Sequence, residues 1–140
     1  GENKVQEFLS KKDELRLDKV EKHLIGHLQS NKVRKIITEV DLIQSVDSVS
    51  LAREIERQAE KNNMTANVLV EINVGGEESK TGLDKTLLRE TIAEISEMKH
   101  ISVKGLMTIP PICENNGELR KFFNEMYTNC NQSVCIFLLL

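Results

Sequence analysis

The stretch His23-Leu24-Ile25-Gly26-His27-Leu28-Gln29-Ser30-Asn31-Lys32-Val33-Arg34-Lys35 decides how this chain is read. A short apolar strand, His23 to Gly26, runs into the polar turn Gln29-Ser30-Asn31. The turn opens a basic helix whose inner side is Val33, Ile36 and Ile37. Strand, polar turn and helix make half of a βαβ unit, and that turn is where α/β proteins keep their ligands. Ser30 and Asn31 are both good N-caps, which leaves two readings open: an ordinary capped connection, or a rim of free N–H groups that suits an anion.

The same grammar repeats on either side. Ahead of it, Val5, Phe8, Leu9 and Leu15 recur at helical spacing and predict an amphipathic helix over residues 4–16. After it, Asp41 to Val46 reads as a second strand. Asp47 and Ser48 supply N-cap chemistry for a helix with Leu51, Ala52, Ile55 and Ala59 on its apolar side, and Asn63 lies just past its end. Asn67 to Val74 is nearly continuous in β-branched and apolar residues, the pattern of a strand covered on both faces. Glu71 interrupts it, and a carboxylate inside such a strand needs a partner or a ligand. Asp84 caps a helix carrying Leu88, Ile92, Ile95 and Met98. Ile101 to Ile109 is the fourth strand, with Gly105 where the chain passes close to a neighbour, and Pro110-Pro111 ends it. Leu119, Phe122, Phe123, Met126 and Cys130 then mark a last amphipathic helix.

The order is therefore a helix followed by four βα units. Strands separated by single helices pair in parallel, because the crossover returns the chain to the same edge. An open doubly wound sheet and a slice of a (β/α)8 barrel both fit. A complete barrel does not, since eight such units need about 200 residues or more. In either architecture ligand chemistry belongs at the carboxyl ends of the strands: Gly26-His27, Ser45, Asn73 to Lys80, and Met107-Thr108.

Composition narrows the chemistry. The 140 residues are 39% hydrophobic and 29% charged, as in a soluble globular domain. The net charge is −3 with both signs interspersed, so no nucleic-acid footprint stands out. Lys32, Arg34 and Lys35 read as a solvated helix face. Cys113, Cys130 and Cys135 lack metal-ligand spacing, which predicts neither a disulfide framework nor a metal site. The loop 75–82 imitates a phosphate loop, but the pattern G-x-x-x-x-G-K-[ST] would need glycines at Val74 and Ser79. His27 has no evident carboxylate or nucleophile partner in sequence. Lys80 could act as a Schiff-base amine if desolvated, although Glu77 and Glu78 would hold it charged. The chain opens on Gly1-Glu2-Asn3 and closes on seven apolar residues, Val134 to Leu140, far short of the roughly 20 needed to span a bilayer. Both ends read as those of an incomplete chain. No apolar leader precedes the first helix, and a reducing cytoplasm is expected.

Five phrases in this order carry a resemblance: Gly1-Glu2-Asn3; His23 to Lys32; Ser45-Val46-Asp47-Ser48; Gly76 to Gly82; and Lys104 to Pro110. Together they resemble the pyridoxal 5′-phosphate homeostasis (YggS) protein family over residues 1–133, and the combination is far more specific than any one phrase. The resemblance implies an α/β partial TIM barrel of the alanine racemase N-terminal type, with about four parallel strands and flanking helices. It implies a vitamin B6 homeostasis protein that binds pyridoxal phosphate (PLP) at the strand ends without catalysis. Asn3, Ile25, Gly26, Ser45 and Met107 are then the remaining cofactor-binding wall, with Lys80 on a neighbouring rim.

The departures are also expectations. The family's Schiff-base lysine lies on a strand upstream of Gly1, and its phosphate cup lies in loops where residues 134–140 form an unrelated apolar tail. Residues 1–133 are thus expected to be a partial PLP-binding barrel domain with impaired cofactor binding. PLP is the expected partner, neither nucleic acid nor a membrane is, and self-association through unpaired sheet edges is expected. The competing class is an α/β interaction fragment without cofactor. An active racemase would need a catalytic lysine and a second domain.

Overall fold

The computed structural model describes residues 1–12, 20–75 and 81–110, together with Gly117, Arg120 to Phe122, Asn124 and Thr128 of the last helical stretch. Lys80, the three cysteines and the apolar tail fall outside the described residues. Four strands form one sheet in the order β1 (His23–Leu24), β2 (Leu42–Val46), β3 (Ala66–Glu71) and β4 (Ile101–Met107), every pair parallel. Sequential parallel order is what single-helix crossovers dictate, and it gives the arc of a barrel rather than a doubly wound sheet, whose order reverses. The helices are α1 (Val5–Lys11), α2 (Val33–Ile36), α3 (Val49–Lys61) and α4 (Leu88–Ser96).

Each helix follows from local chemistry. At α3 the Ser48 hydroxyl accepts from the Leu51 N–H at 3.4 Å, which satisfies one orphan donor of the first turn. Leu51, Ala52, Ile55 and Ala59 recur every three or four residues and are buried. The helix stops where Asn63 takes a left-handed φ of 52°, a conformation Asn tolerates better than most residues. Before α4, Asp84 Oδ1 accepts from the Thr86 N–H at 2.8 Å and opens a 3-10 turn, Lys85–Leu87. Glu56 of α3 accepts from the backbone N–H groups of Lys99 (3.1 Å) and His100 (2.8 Å), so it pins the turn that feeds β4.

The first turn of α2 departs from expectation. Neither Ser30 nor Asn31 caps it: both lie inside a 3-10 turn, Ser30–Lys32, preceded by Gln29 without a side-chain cap. Tight i→i+3 turns satisfy their own early carbonyls, and α2 itself runs only four residues. β1 is also shorter than the predicted His23–Gly26. Beyond Leu24 the chain turns from β2 towards the first residues: Ile25 N–H donates to Glu2 O at 2.9 Å, and Glu2 N–H donates to His23 O at 2.9 Å. Glu2 thus makes a parallel bridge to Leu24 and covers part of the β1 edge.

Between sheet and helices lies the core. Leu24, Ile43, Val46, Val68, Val70, Ile72 and Leu106 face Ile36, Leu51, Ile55, Ala59 and Ile95. Fully burying each large side chain contributes about 1.5–3 kcal/mol, the dominant favourable part of the balance. Leu69 and Met107 are buried too but lie outside this cluster, on the opposite face of the sheet.

Candidate functional site

Parallel strands end together, so the sheet collects its strand ends on one rim. Glu71 stands there on β3 in register with Met107 on β4. Thr108 donates its hydroxyl to Ile72 O at 2.7 Å, and Ile72 N–H donates to Met107 O at 2.8 Å, which ties the two strand ends together. The chain returns beside β3 through Thr81-Gly82-Leu83. Leu83 N–H donates to Glu71 O at 2.8 Å and accepts at its own carbonyl from Asn73 N–H at 3.0 Å. Gly82 is required in that return: its φ is +112°, and a Cβ would fall 2.7 Å from Asn73 N.

Glu71 is 4% exposed, and its Oε1 accepts from the Thr81 hydroxyl at 2.7 Å. Burial pushes its carboxyl above the ordinary carboxylate value. The Thr81 hydrogen bond pulls it back, the Asp47 carboxylate raises it again, and His27 draws it down. Those influences place the ends of β1, β2 and β3 within electrostatic reach of one another. His27, which the sequence left without a partner, has one: its Nδ1 lies 3.3 Å from Asp47 Oδ2. Asp47 and His27 come from neighbouring strand ends, a proximity that sequence spacing does not encode. Ser48 donates its hydroxyl to the second oxygen, Asp47 Oδ1, at 3.1 Å.

The expected wall residues divide into two groups. Asn3, Ile25 and Gly26 meet at the β1 edge. A Cβ on Gly26 would sit 2.2 Å from Asn3 O, so the two backbones approach as closely as only glycine allows. Ser45 and Met107 lie on β2 and β4, 0% and 1% exposed, with Glu71 on the strand between them. Among the described residues Ser45 Oγ has no hydrogen-bond partner, and neither has Gln44 Oε1 beside it. Glu71 was legible as a carboxylate in need of a partner, but Thr81 as that partner was not. Among the described residues no group of three potential metal ligands occurs, and no helix is long and apolar enough to cross a membrane.

Two observations bear on whether a PLP group suits this rim. Ser45 and Gln44 hold buried polar atoms without partners among the described residues, which suits a polar group of the ring, and Gly26 and Asn3 bring two backbones close together. The described strand ends carry no lysine and no group of cations for the phosphate.

Residues 1–135 match the model of the alanine racemase N-terminal domain. The pyridoxal phosphate homeostasis protein of Aquifex aeolicus is 46% identical over 126 residues, covering 90% of this chain and 55% of its own length. Its namesake in Schizosaccharomyces pombe is 40% identical over 121 residues, covering 85% and 50% respectively. Among solved structures, PipY of Synechococcus elongatus with PLP bound superposes with a TM-score of 0.83 at 31% identity, covering 94% of this chain and 61% of that one. The chain therefore spans about half the length of the curated relatives it matches.

Proposed function

The chain belongs to the alanine racemase N-terminal domain family, in the group of the pyridoxal phosphate homeostasis proteins, and on that premise we propose that it is a non-catalytic PLP-binding protein of vitamin B6 homeostasis acting in the cytoplasm. The observation that carries the reading is the Ser45 hydroxyl, fully buried at the carboxyl end of β2 with no partner among the described residues. A hydroxyl in that position costs about 1–3 kcal/mol unless a guest completes it. Ile25 and Gly26 form the pocket wall on one side and Met107 on the other. Asn3 fixes the wall by accepting the close approach of Gly26. When bound, PLP supplies a carbonyl that condenses with amines; homeostasis needs only its retention and release.

The same reading has residues 1–140, taken alone, hold the cofactor weakly, because the described strand ends offer no lysine anchor and a rim with two carboxylates, Asp47 and Glu71. Residues 1–133 are proposed as the partial barrel domain, with 134–140 outside it. The test is absorbance titration of PLP into the 140-residue chain, alone and mixed with a polypeptide supplying the rest of a relative's barrel. Weak binding alone and recovered binding in the mixture are expected. Tight binding by the chain alone, fixed by borohydride onto one lysine, overturns the weak-binding reading. No recovery in the mixture favours the interaction-fragment alternative.

A further inference from the structure

We propose that Gln44 is a specificity residue of this pocket: its Oε1, together with Ser45 Oγ, receives the ring hydroxyl of a 3-hydroxypyridine ligand. The proposal rests on the cofactor reading above and adds to it a residue and the ligand atom it recognises.

The placement comes from an irregularity in the sheet. Ile43 pairs with Val68 and Val46 pairs with Val70, so Gln44 and Ser45 together oppose Leu69 alone. Ile43, Val46, Val68 and Val70 all belong to the helix-side core, whereas Leu69 is buried outside it. Two residues facing one across a bulge share that residue's side of the sheet. Gln44 and Ser45 therefore turn to the face that carries Leu69, the pocket side.

The amide is held one way round. Gln44 Nε2 lies 2.8 Å from His23 Nδ1. An amide nitrogen only donates, so His23 Nδ1 is the acceptor of this contact. The other end of the amide, Oε1, is buried without a partner among the described residues, and so is the neighbouring Ser45 Oγ. The pair offers one acceptor that cannot donate and one hydroxyl that can do either. A phosphate or carboxylate, an acceptor only, would leave Oε1 unsatisfied beside negative charge. A bare pyridine nitrogen would satisfy Ser45 alone. A hydroxyl satisfies both, donating to Gln44 Oε1 and accepting from Ser45 Oγ. Both atoms are closed to water in the structure, so seating the ring displaces side chains over this face, in keeping with weak binding by this chain alone.

The experiment uses calorimetric titration of pyridoxine 5′-phosphate, which has no aldehyde to react with surface lysines, and of its 3-deoxy counterpart. The proteins are the 140-residue chain, Gln44→Met and Ser45→Ala, with circular dichroism to confirm folding. The unmodified chain is expected to favour the hydroxylated compound about tenfold, the ratio one to two net hydrogen bonds give. Gln44→Met brings the ratio to about one through loss of the hydroxylated compound alone, and Ser45→Ala lowers it. Should Gln44→Met not fold, Ser45→Ala, a one-atom deletion, decides. Equal binding of the two compounds by the unmodified chain overturns the hydroxyl assignment and spares the pocket reading. A preference that persists in every folded variant also overturns it and leaves water as the guest of Gln44 and Ser45. Binding of neither compound at millimolar concentration overturns both readings.

Discussion

Replacing Glu71 by Gln tests the electrostatics of the rim most directly. Gln keeps the length of the side chain and an oxygen to accept from Thr81, and it removes only the charge. In the folded chain Glu71 is almost fully buried, holds the Thr81 hydrogen bond and lies near the Asp47 carboxylate. His27, which draws it down, is half exposed, so solvent screens that help. The carboxyl is consequently raised above its ordinary value of 4.5. A group raised on folding contributes stability that is fully present below its unfolded pKa and is lost as pH climbs through its folded pKa. Glu71→Gln is therefore expected to stabilise the chain at pH 7 and to raise its Tm there. Near pH 4 the two proteins should converge. The assay is thermal unfolding of both proteins across this range. Only their difference is used, because Glu7, Glu54 and Asp84 are lowered by their hydrogen-bonding partners and pull the absolute curve the opposite way. A lower Tm for Glu71→Gln at pH 7, or a difference that does not change with pH, would refute the reasoning.

Three further outcomes follow from the same structure. Gly26→Ala places a methyl 2.2 Å from Asn3 O, and since backbone rather than a flexible side chain must yield, a loss of about 1–3 kcal/mol is expected by urea unfolding. A change under half of that would mean the wall is looser than described. Asp47→Asn removes the carboxylate that raises Glu71, so NMR titration should show the Glu71 carboxyl moving down towards its ordinary value; an upward move contradicts the placement. Ile55→Ala opens a cavity where α3 meets the sheet, and a cost of about 2–5 kcal/mol is expected, with no pH dependence to the difference.

The order of elements was legible from the chain because it depends on local periods and local caps. Ser48 and Asp84 cap as their positions require, Asn63 ends α3, and the run from Asn67 to Val74 could be little other than a buried strand, which the structure forms over Ala66–Glu71. Parallel pairing follows from single-helix crossovers, so the sheet too was implicit. The five family phrases identified the kin because they are contiguous, and contiguity is what a sequence preserves. What the sequence could not hold was the meeting of strand ends. His27 with Asp47, Thr81 with Glu71 and Asn3 with Gly26 each join residues from different units, and their distance is set by sheet register rather than by spacing. The mistaken cap at Ser30-Asn31 has the same origin in reverse: good capping chemistry was outweighed by a tight turn between a two-residue strand and a four-residue helix. The bulge that turns Gln44 and Ser45 to one face is likewise a property of two strands together. Sequence determined the fold and its kin, because those are written in local patterns; tertiary structure alone decided which polar atoms among the described residues are buried, which are paired and which are not.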